Sequence, residues 1–398
     1  IVFVLLGISW LLIFSHKHLE YSRELLWQFE LRAQAPRSLR ATAGAMALLA
    51  VFGAWRLLRP AIAEPPPPTA DDLDRVATIV ARSPHPSAYL ALLGDKSFLF
   101  DRERTGFLMY AIAGRSWVAL GDPIGPLEVV KPLIWQFREL SDRHNGWTVF
   151  YEVGPDHLPV YLDLGLHLRK LGEEALVDLR TFTLEGGARK ALRQAHHRAQ
   201  RDGLRFEVVP ATGVDALLGD LEAVSDAWLS QKQTREKGFS LGFFDPDYLR
   251  RMPVAVVRDD HGSPVAFANL MPGAEHEELS CDLMRYRPGI RAGIMDFLFV
   301  ELLLWGKADG YRWFNLGMAP LSGFEDRVLA PLWSRLGALL FRHGEDFYNF
   351  QGLRQFKEKF DPAWQPRYLV SPGGVVLPRV LANVASLVSG GLGGIVTR

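Results

Sequence analysis

A single cysteine, Cys281, in 398 residues leaves no partner for a disulfide, so nothing staples this fold covalently and a reducing compartment is permitted. Net charge is missing too. The 45 basic and 45 acidic residues cancel, which excludes a globally basic nucleic-acid binder but allows local basic patches. No Cys/His pair carries structural-metal spacing, so no metal is expected. The eleven histidines show no Ser-His-Asp signature, no G-x-S-x-G elbow exists, and neither Gly-rich loop follows a Rossmann or Walker pattern. Lysine is scarce beside arginine, 10 against 35, a bias that coding alone can produce.

Apolar runs are present at the start. Residues 1–14, IVFVLLGISWLLIF, read as the end of a membrane helix, as in a fragment of a longer protein. Ala41 to Leu58 is a second run, close to the length that crosses ~30 Å of hydrocarbon; a buried soluble helix is the competing reading. Between them, Lys17, Arg23, Arg32, Arg37 and Arg40 mix with Glu20, Glu24 and Glu30, so loop charge gives no clean orientation. The expected organisation is a membrane region over 1–59 and a Pro-rich linker over 60–71, stiffened by Glu64-Pro-Pro-Pro-Pro68. Then come an α/β unit over 72–183, a basic connecting helix over 184–203, a second α/β unit over 204–370, and a Gly-rich tail over 371–398, either loose or membrane-associated.

Hydrophobic patterning places a hairpin at Phe107–Ala113 and Ser116–Leu120 around Gly114-Arg115, then Gly121-Asp-Pro-Ile-Gly-Pro126 and a helix through Leu140. Thr148–Val153 reads as a further strand. Strands at Val254–Val257, Val265–Met271 and Leu279–Tyr286 precede Arg287-Pro-Gly-Ile-Arg-Ala-Gly293 and an apolar helix through Trp305. A strand running into a Gly/Pro loop and then a helix thus recurs roughly 160 residues apart, which suggests two similarly built halves.

Three stretches carry chemistry. Phe347 to Tyr368 reads FYNFQGLRQFKEKFDPAWQPRY; on a helix from Asn349, Phe350, Leu353, Phe356 and Phe360 share one face and Lys357 falls inside that apolar arc. Such a lysine snorkels to water, neutralises, or meets an anion. With Arg354 one turn earlier and Trp364-Gln-Pro366-Arg367-Tyr368 fixing the exit, the stretch reads as one wall of an anion-handling site. On the connecting helix, Arg189, Arg193, His197 and Arg201 fall at i, i+4 spacing with Lys190 and Arg198 alongside and only Asp202 as a nearby acid. That stripe either lies solvated near distant acids or binds phosphate. In Glu278-Leu-Ser-Cys-Asp-Leu-Met-Arg-Tyr286, a regular strand keeps Asp282 and Arg285 on opposite faces; they converge only if the strand bulges or ends there. Cys281 reads as a packed thiol, and Phe324-Glu325-Asp326-Arg327 as an acidic turn, either a surface loop or an amine site.

Taken together, GDPIGP at 121–126, REKGFSLGFFDPDYL at 235–249, SCDLMRY at 280–286, FNLGMAPLSG at 314–323 and YNFQGLRQFKEKFDPAWQPRYL at 348–369 resemble the C-terminal catalytic region of the aminoacyl-phosphatidylglycerol synthases, the multiple peptide resistance factors. The resemblance covers about 72–370, most nearly to the proteobacterial alanyl-phosphatidylglycerol branch. It implies an α/β fold of tandem GNAT-type acyltransferase units preceded by transmembrane helices, in the bacterial inner membrane with the catalytic part facing the cytoplasm. It also implies transfer of an amino acid, alanine favoured and lysine open, from aminoacyl-tRNA to the glycerol hydroxyl of phosphatidylglycerol. That reaction lowers the negative charge of the bilayer and gives resistance to cationic antimicrobials. By the same resemblance Asp282, Arg285 and Lys357 are catalytic. Arg189, Lys190, Arg193, Arg201 and Arg354 are candidates for tRNA or lipid phosphate, and Tyr286, Glu325 and Tyr348 for the amino acid. No cofactor is expected, since 287–293 has no recognisable coenzyme A loop. A coenzyme A-dependent N-acyltransferase and a membrane-tethered RNA- or lipid-binding module are the rival readings.

Overall fold

Two strand–helix–strand crossovers organise the sheet, and both follow from runs of apolar residues long enough to be buried on two faces. The computed structural model describes residues 44–53, 65–232, 236–290, 293–323 and 350–390. Residues 44–53 are helical and belong to a unit separate from everything after Ala61; the rest of both N-terminal apolar runs lies outside the described residues. Among the described residues no helix is long and apolar enough to cross a membrane.

Helix α1 (Ala70–Val80) opens the larger unit behind a capping box, in which the Thr69 side chain accepts from the Asp72 backbone and Asp72 reaches back to Thr69. Strands β1 (Ser97–Phe100), β2 (Phe107–Ala113) and β3 (Ser116–Leu120) form an antiparallel meander. Gly114, at φ 57°, supplies the left-handed residue that the two-residue β2–β3 turn requires. Helix α2 (Leu127–Arg143) returns the chain to β4 (Trp147–Val153), parallel to β3, and buries Val130, Leu133, Ile134 and Phe137 at helical spacing. After β5 (His167–Asp178) come α3 (Lys190–Arg201), β6 (Arg205–Val209), α4 (Leu218–Lys232), β7 (Val254–Arg258), β8 (Pro264–Pro272) and β9 (Glu278–Tyr286). Helix α5 (Ile294–Ala308) then crosses to β10 (Trp313–Pro320), parallel to β9. Phe297, Leu298, Val300, Leu302 and Leu303 of α5 are almost wholly buried, each stabilising the fold by about 1.5–3 kcal/mol. Helix α6 (Phe350–Glu358), β11 (Ala363–Ser371) and α7 (Leu377–Val388) complete the described chain.

All eleven strands form one sheet in the order β1-β2-β3-β4-β11-β5-β10-β9-β8-β7-β6. Without the edge strand β6, the order is symmetric about its middle, and the two middle strands, β11 and β5, are exchanged. β11 of the later half pairs with β4 of the earlier one, β5 of the earlier half pairs with β10 of the later one, and β5 and β11 pair with each other. The segments 72–183 and 204–370 therefore do not form separate sheets: their strands share one.

The hairpin and the strands read from the sequence stand within a residue or two of their expected limits. Three expectations need correcting. The connecting helix begins at Lys190 rather than Leu184, because Gly186 takes a left-handed φ of 85° just before it. The exit Trp364 to Tyr368, expected to fix the chain after the helix, is itself strand, part of β11. The tail is not loose as far as residue 388: α7 buries Val380 and Val384 in a core shared with β2 and β3, and Asn383 donates to Ser116 Oγ at 2.9 Å.

Candidate functional site

Of the two routes by which Asp282 and Arg285 could converge, a bulge or the strand's end, the structure has the bulge. Ala268 faces Met284 and Leu270 faces Cys281, so the single residue Asn269 of β8 stands opposite both Asp282 and Leu283 of β9. The buried Asn269 side chain holds the bulge open: its Oδ1 accepts from the Asp282 backbone N–H at 3.2 Å and from Leu283 at 2.7 Å. One extra residue reverses the alternation, so Asp282 and Arg285, three apart, come to the same side and attract each other. Arg285 donates to Glu236 Oε2 at 2.7 Å and lies 4.1 Å from the Trp228 ring, while its Nε is buried without a partner.

Asp282 Oδ2 is likewise buried and has no hydrogen-bond partner. Burial pushes the carboxyl up to about 6; the Gly242 backbone, Lys96 and Arg285 pull the other way, and the Glu236 charge adds to the rise. Gly242 is glycine for a steric reason, since a Cβ there would stand 1.8 Å from Asp282 Oδ2. Tyr248, wholly buried on the helical turn Pro246–Leu249, adds a hydroxyl whose pKa burial drives well up, with the Asp282 charge next in effect.

Lys357 lies in a fork of the sheet. The parallel ladder between β9 and β10 ends at Asn315 opposite Ser280, and β10 is irregular from Asn315 to Met318. Two carbonyls freed there, Gly317 and Met318, accept from Lys357 Nζ at 2.9 and 2.8 Å. The side chain is only 5% exposed, and burial brings its pKa down to about 8, with Glu174 the leading opposing charge. Of the three fates open to this lysine, snorkelling is excluded; its partners are backbone dipoles, with carboxylates further off. No hydrogen bond or ion pair joins Lys357 to Asp282, but the charges of both act on Cys281, a buried thiol pushed up to about 12 by its burial.

Around Lys357 lies a polar group that sequence reasoning missed. Burial pushes the carboxyls of Glu152 and Glu278 up to about 7 each, with the Glu174 charge contributing to both shifts. Arg367 clamps Glu174 with two N–H groups, the Nε contact being 2.8 Å, and Asn315 donates to Glu278 at 2.7 Å. Glu152 sits where the β4–β11 register shifts and has a left-handed φ of 64°, a rare conformation for a non-glycine residue. These residues come from β4, β5, β9, β10 and β11. Only the strand exchange brings them together.

The basic stripe divides. Arg189 donates to the carbonyls of Lys359 at 2.6 Å and Phe360 at 3.2 Å beyond the end of α6, and Arg193 donates to those of Leu184 and Gly186. Lys190, His197, Arg198 and Arg201 are exposed, and the last three line a shallow surface depression with Gln194 and Gln200. Arg354 donates to Glu173 and Glu358 at 2.9 Å each and stacks 4.2 Å from the Trp364 ring. Tyr286 packs on the α5 core, whereas Glu325 and Tyr348 lie outside the described residues. A cavity of about 320 Å³ bounded by Asp95, Ala111, Glu236, Phe239, Phe243 and Leu387 opens beside the acids that hold Lys96 and Arg285. Glu236 and Gly242 belong to the 235–249 motif, so that stretch carried a signal; Lys96, Asn269 and Glu152 carried none.

Fold and site together define a mixed α/β protein with a buried acid and a buried lysine near the seam of two exchanged halves. The chain matches the family described as phosphatidylglycerol lysyltransferase, C-terminal, over residues 77–371, and it belongs to that family. It is 41% identical over 283 residues to phosphatidylglycerol lysyltransferase from Bacillus subtilis, covering 71% of this chain and 33% of that relative. The chain thus spans about a third of the length of that curated relative. Among solved structures, L-PGS from Bacillus licheniformis superposes with a TM-score of 0.71 at 36% identity, covering 81% of this chain and 98% of that one. A C-terminal domain from Agrobacterium fabrum, provisionally named a lysylphosphatidylglycerol synthetase, gives 0.74 at 45% identity, covering 81% of this chain and 98% of that one.

Proposed function

We propose that this chain is the catalytic part of an aminoacyltransferase that moves an amino acid from aminoacyl-tRNA to the glycerol hydroxyl of phosphatidylglycerol at the inner face of a bacterial inner membrane. The two halves are then GNAT-type units, and the ester product lowers the negative charge of the bilayer against cationic antimicrobials. The observation that carries the reading is Asp282, a buried carboxylate with one oxygen unpartnered, turned by a bulge to the side of Arg285. With its pKa at about 6, it is ionised at neutral pH yet basic enough to accept a proton.

The donor ester is already activated, so the protein has to align two substrates rather than form a covalent intermediate. The glycerol oxygen attacks the ester carbonyl as its proton passes to Asp282, the carbon–oxygen bond to the tRNA ribose breaks, and the departing ribose oxygen takes a proton. Arg285 and Lys357 divide the remaining work between holding phosphate and supporting the developing oxyanion. Lys190, Arg198 and Arg201 present the exposed charge for the tRNA, with His197 alongside, and the cavity beside Glu236 is the approach for the lipid. Alanine is the favoured donor; the lysyl names of the relatives keep lysine in the comparison. Purified protein mixed with phosphatidylglycerol vesicles and radiolabelled Ala-tRNA, then Lys-tRNA, tests the reaction. Label in the extracted lipid is expected, and its absence with both donors rejects the proposal.

A further inference from the structure

Asp282 belongs to the later half of the sequence, yet the lysine acting on it comes from the earlier one. Lys96 lies just ahead of β1 and is 1% exposed. Two of its three N–H groups are committed, to the Leu90 carbonyl at 2.9 Å and to Asp95 Oδ1 at 2.5 Å. Asp95 in turn accepts the Phe239 backbone N–H at 3.0 Å, which ties this corner to the loop carrying Glu236 and Gly242. A buried ammonium is costly to keep, and the Asp95 contact offsets only part of that cost. The attraction between Lys96 and Asp282 supplies more, and Asp282 Oδ2 is itself buried without a hydrogen-bond partner, against the loop that Asp95 holds.

We propose that Lys96 is a positioning residue for the acyl transfer, holding Asp282 as a carboxylate so that it can accept the glycerol proton. The inference rests on the transferase reading for its purpose but not for its test. The titratable groups facing Asp282 are Lys96 and Asp95 ahead of β1, Glu236 in the loop after α4, Tyr248 on its helical turn, and Cys281 and Arg285 on β9 itself. Lys96 and Arg285 favour its ionised form, and Glu236 opposes it. Removing Lys96 leaves Arg285, already paired to Glu236, as the one cation in that group.

The test follows the Asp282 carboxyl by infrared difference spectroscopy, its band identified by loss in Asp282→Asn, in the wild-type chain, Lys96→Met and Lys96→Arg. Titration about one unit higher in Lys96→Met, with return toward the wild-type position in Lys96→Arg, is expected. The acid limb of kcat/KM for aminoacyl-lipid formation should move by the same amount and be rescued by the same variant. Should Lys96→Met fail to fold, the reciprocal measurement decides: ¹⁵N-lysine NMR of Lys96 in Asp282→Asn, where loss of the neighbouring carboxylate should lower the pH at which Lys96 gives up its proton. An unmoved Asp282 band in folded Lys96→Met, or an unmoved Lys96 signal in Asp282→Asn, overturns the proposal. A wild-type protein that forms no aminoacyl-lipid overturns the transferase reading, and the spectroscopic arms still decide on Lys96.

Discussion

At the scale of single residues, stability and chemistry oppose each other at Asp282. Its carboxyl titrates at about 6 in the folded protein against 3.8 ordinarily, so the native state holds the proton more tightly between those values. Stability is therefore lost as pH rises through that window, by about 3 kcal/mol once the buried carboxylate is fully ionised. Asp282→Asn should abolish aminoacyl-lipid formation and at pH 7 stabilise the fold by about 2–3 kcal/mol, read from urea unfolding; an equally active or a destabilised variant contradicts this. Gly242→Ala should also remove activity, because the new Cβ stands where Asp282 Oδ2 is. For Lys357, shifted down to about 8, the charged form is lost above that value. If catalysis needs the Asp282 carboxylate and the Lys357 ammonium, kcat/KM should describe a bell with limbs near pH 6 and 8. Lys357→Ala should flatten the profile to a trace, and wild-type turnover in that variant would remove Lys357 from the mechanism.

At the scale of elements, helix α3 separates two jobs that one charge pattern had merged. Sequence spacing places Arg189, Arg193, His197 and Arg201 on one stripe, and no local signal shows that the first two reach backbone carbonyls. Arg198→Glu with Arg201→Glu should raise the KM for tRNA severalfold and weaken its salt dependence, with little change in melting temperature. Arg189→Ala should do the reverse, costing about 1–2 kcal/mol of stability through the orphaned carbonyls of Lys359 and Phe360. The bulge in β9 was legible as one of two ways, with the strand's end, for Asp282 and Arg285 to meet. Its cause was not, since the Asn269 side chain that holds it open comes from the neighbouring strand. Helix α7 was illegible for a similar reason: a short, mildly apolar segment looks alike whether it docks on β2 and β3 or trails away. Val380→Ala should cost about 1–3 kcal/mol if the docking matters, as measured by thermal unfolding.

At the scale of the whole molecule, the exchange of β5 and β11 makes the two halves interdependent. The segments 65–203 and 204–390 expressed separately should each lack a cooperative thermal transition, because each half then loses the strand that lies between its own edge and the other half. A sharp independent melt from either segment would show that the exchange is dispensable. The same exchange gathers Glu152, Glu174, Glu278 and Arg367 around Lys357. Those four residues lie on strands that sequence patterning missed or did not connect, so no reading of one segment could assemble them.

By itself the amino-acid sequence determined the strand–helix alternation, the motifs that mark the family, and the placing of Lys357 on the apolar face of its helix. The alternation and the helix face are written in spacing and the family in contiguous motifs, both local properties of the chain. Only the tertiary structure decided that β5 and β11 trade places, that Lys357 meets carbonyls in a forked sheet, and that Lys96 is buried where its charge acts on Asp282. Those outcomes depend on which of several strand pairings, more than a hundred residues apart, buries the most apolar surface while leaving the fewest polar groups unpaired, and no period of two or 3.6 residues records that competition.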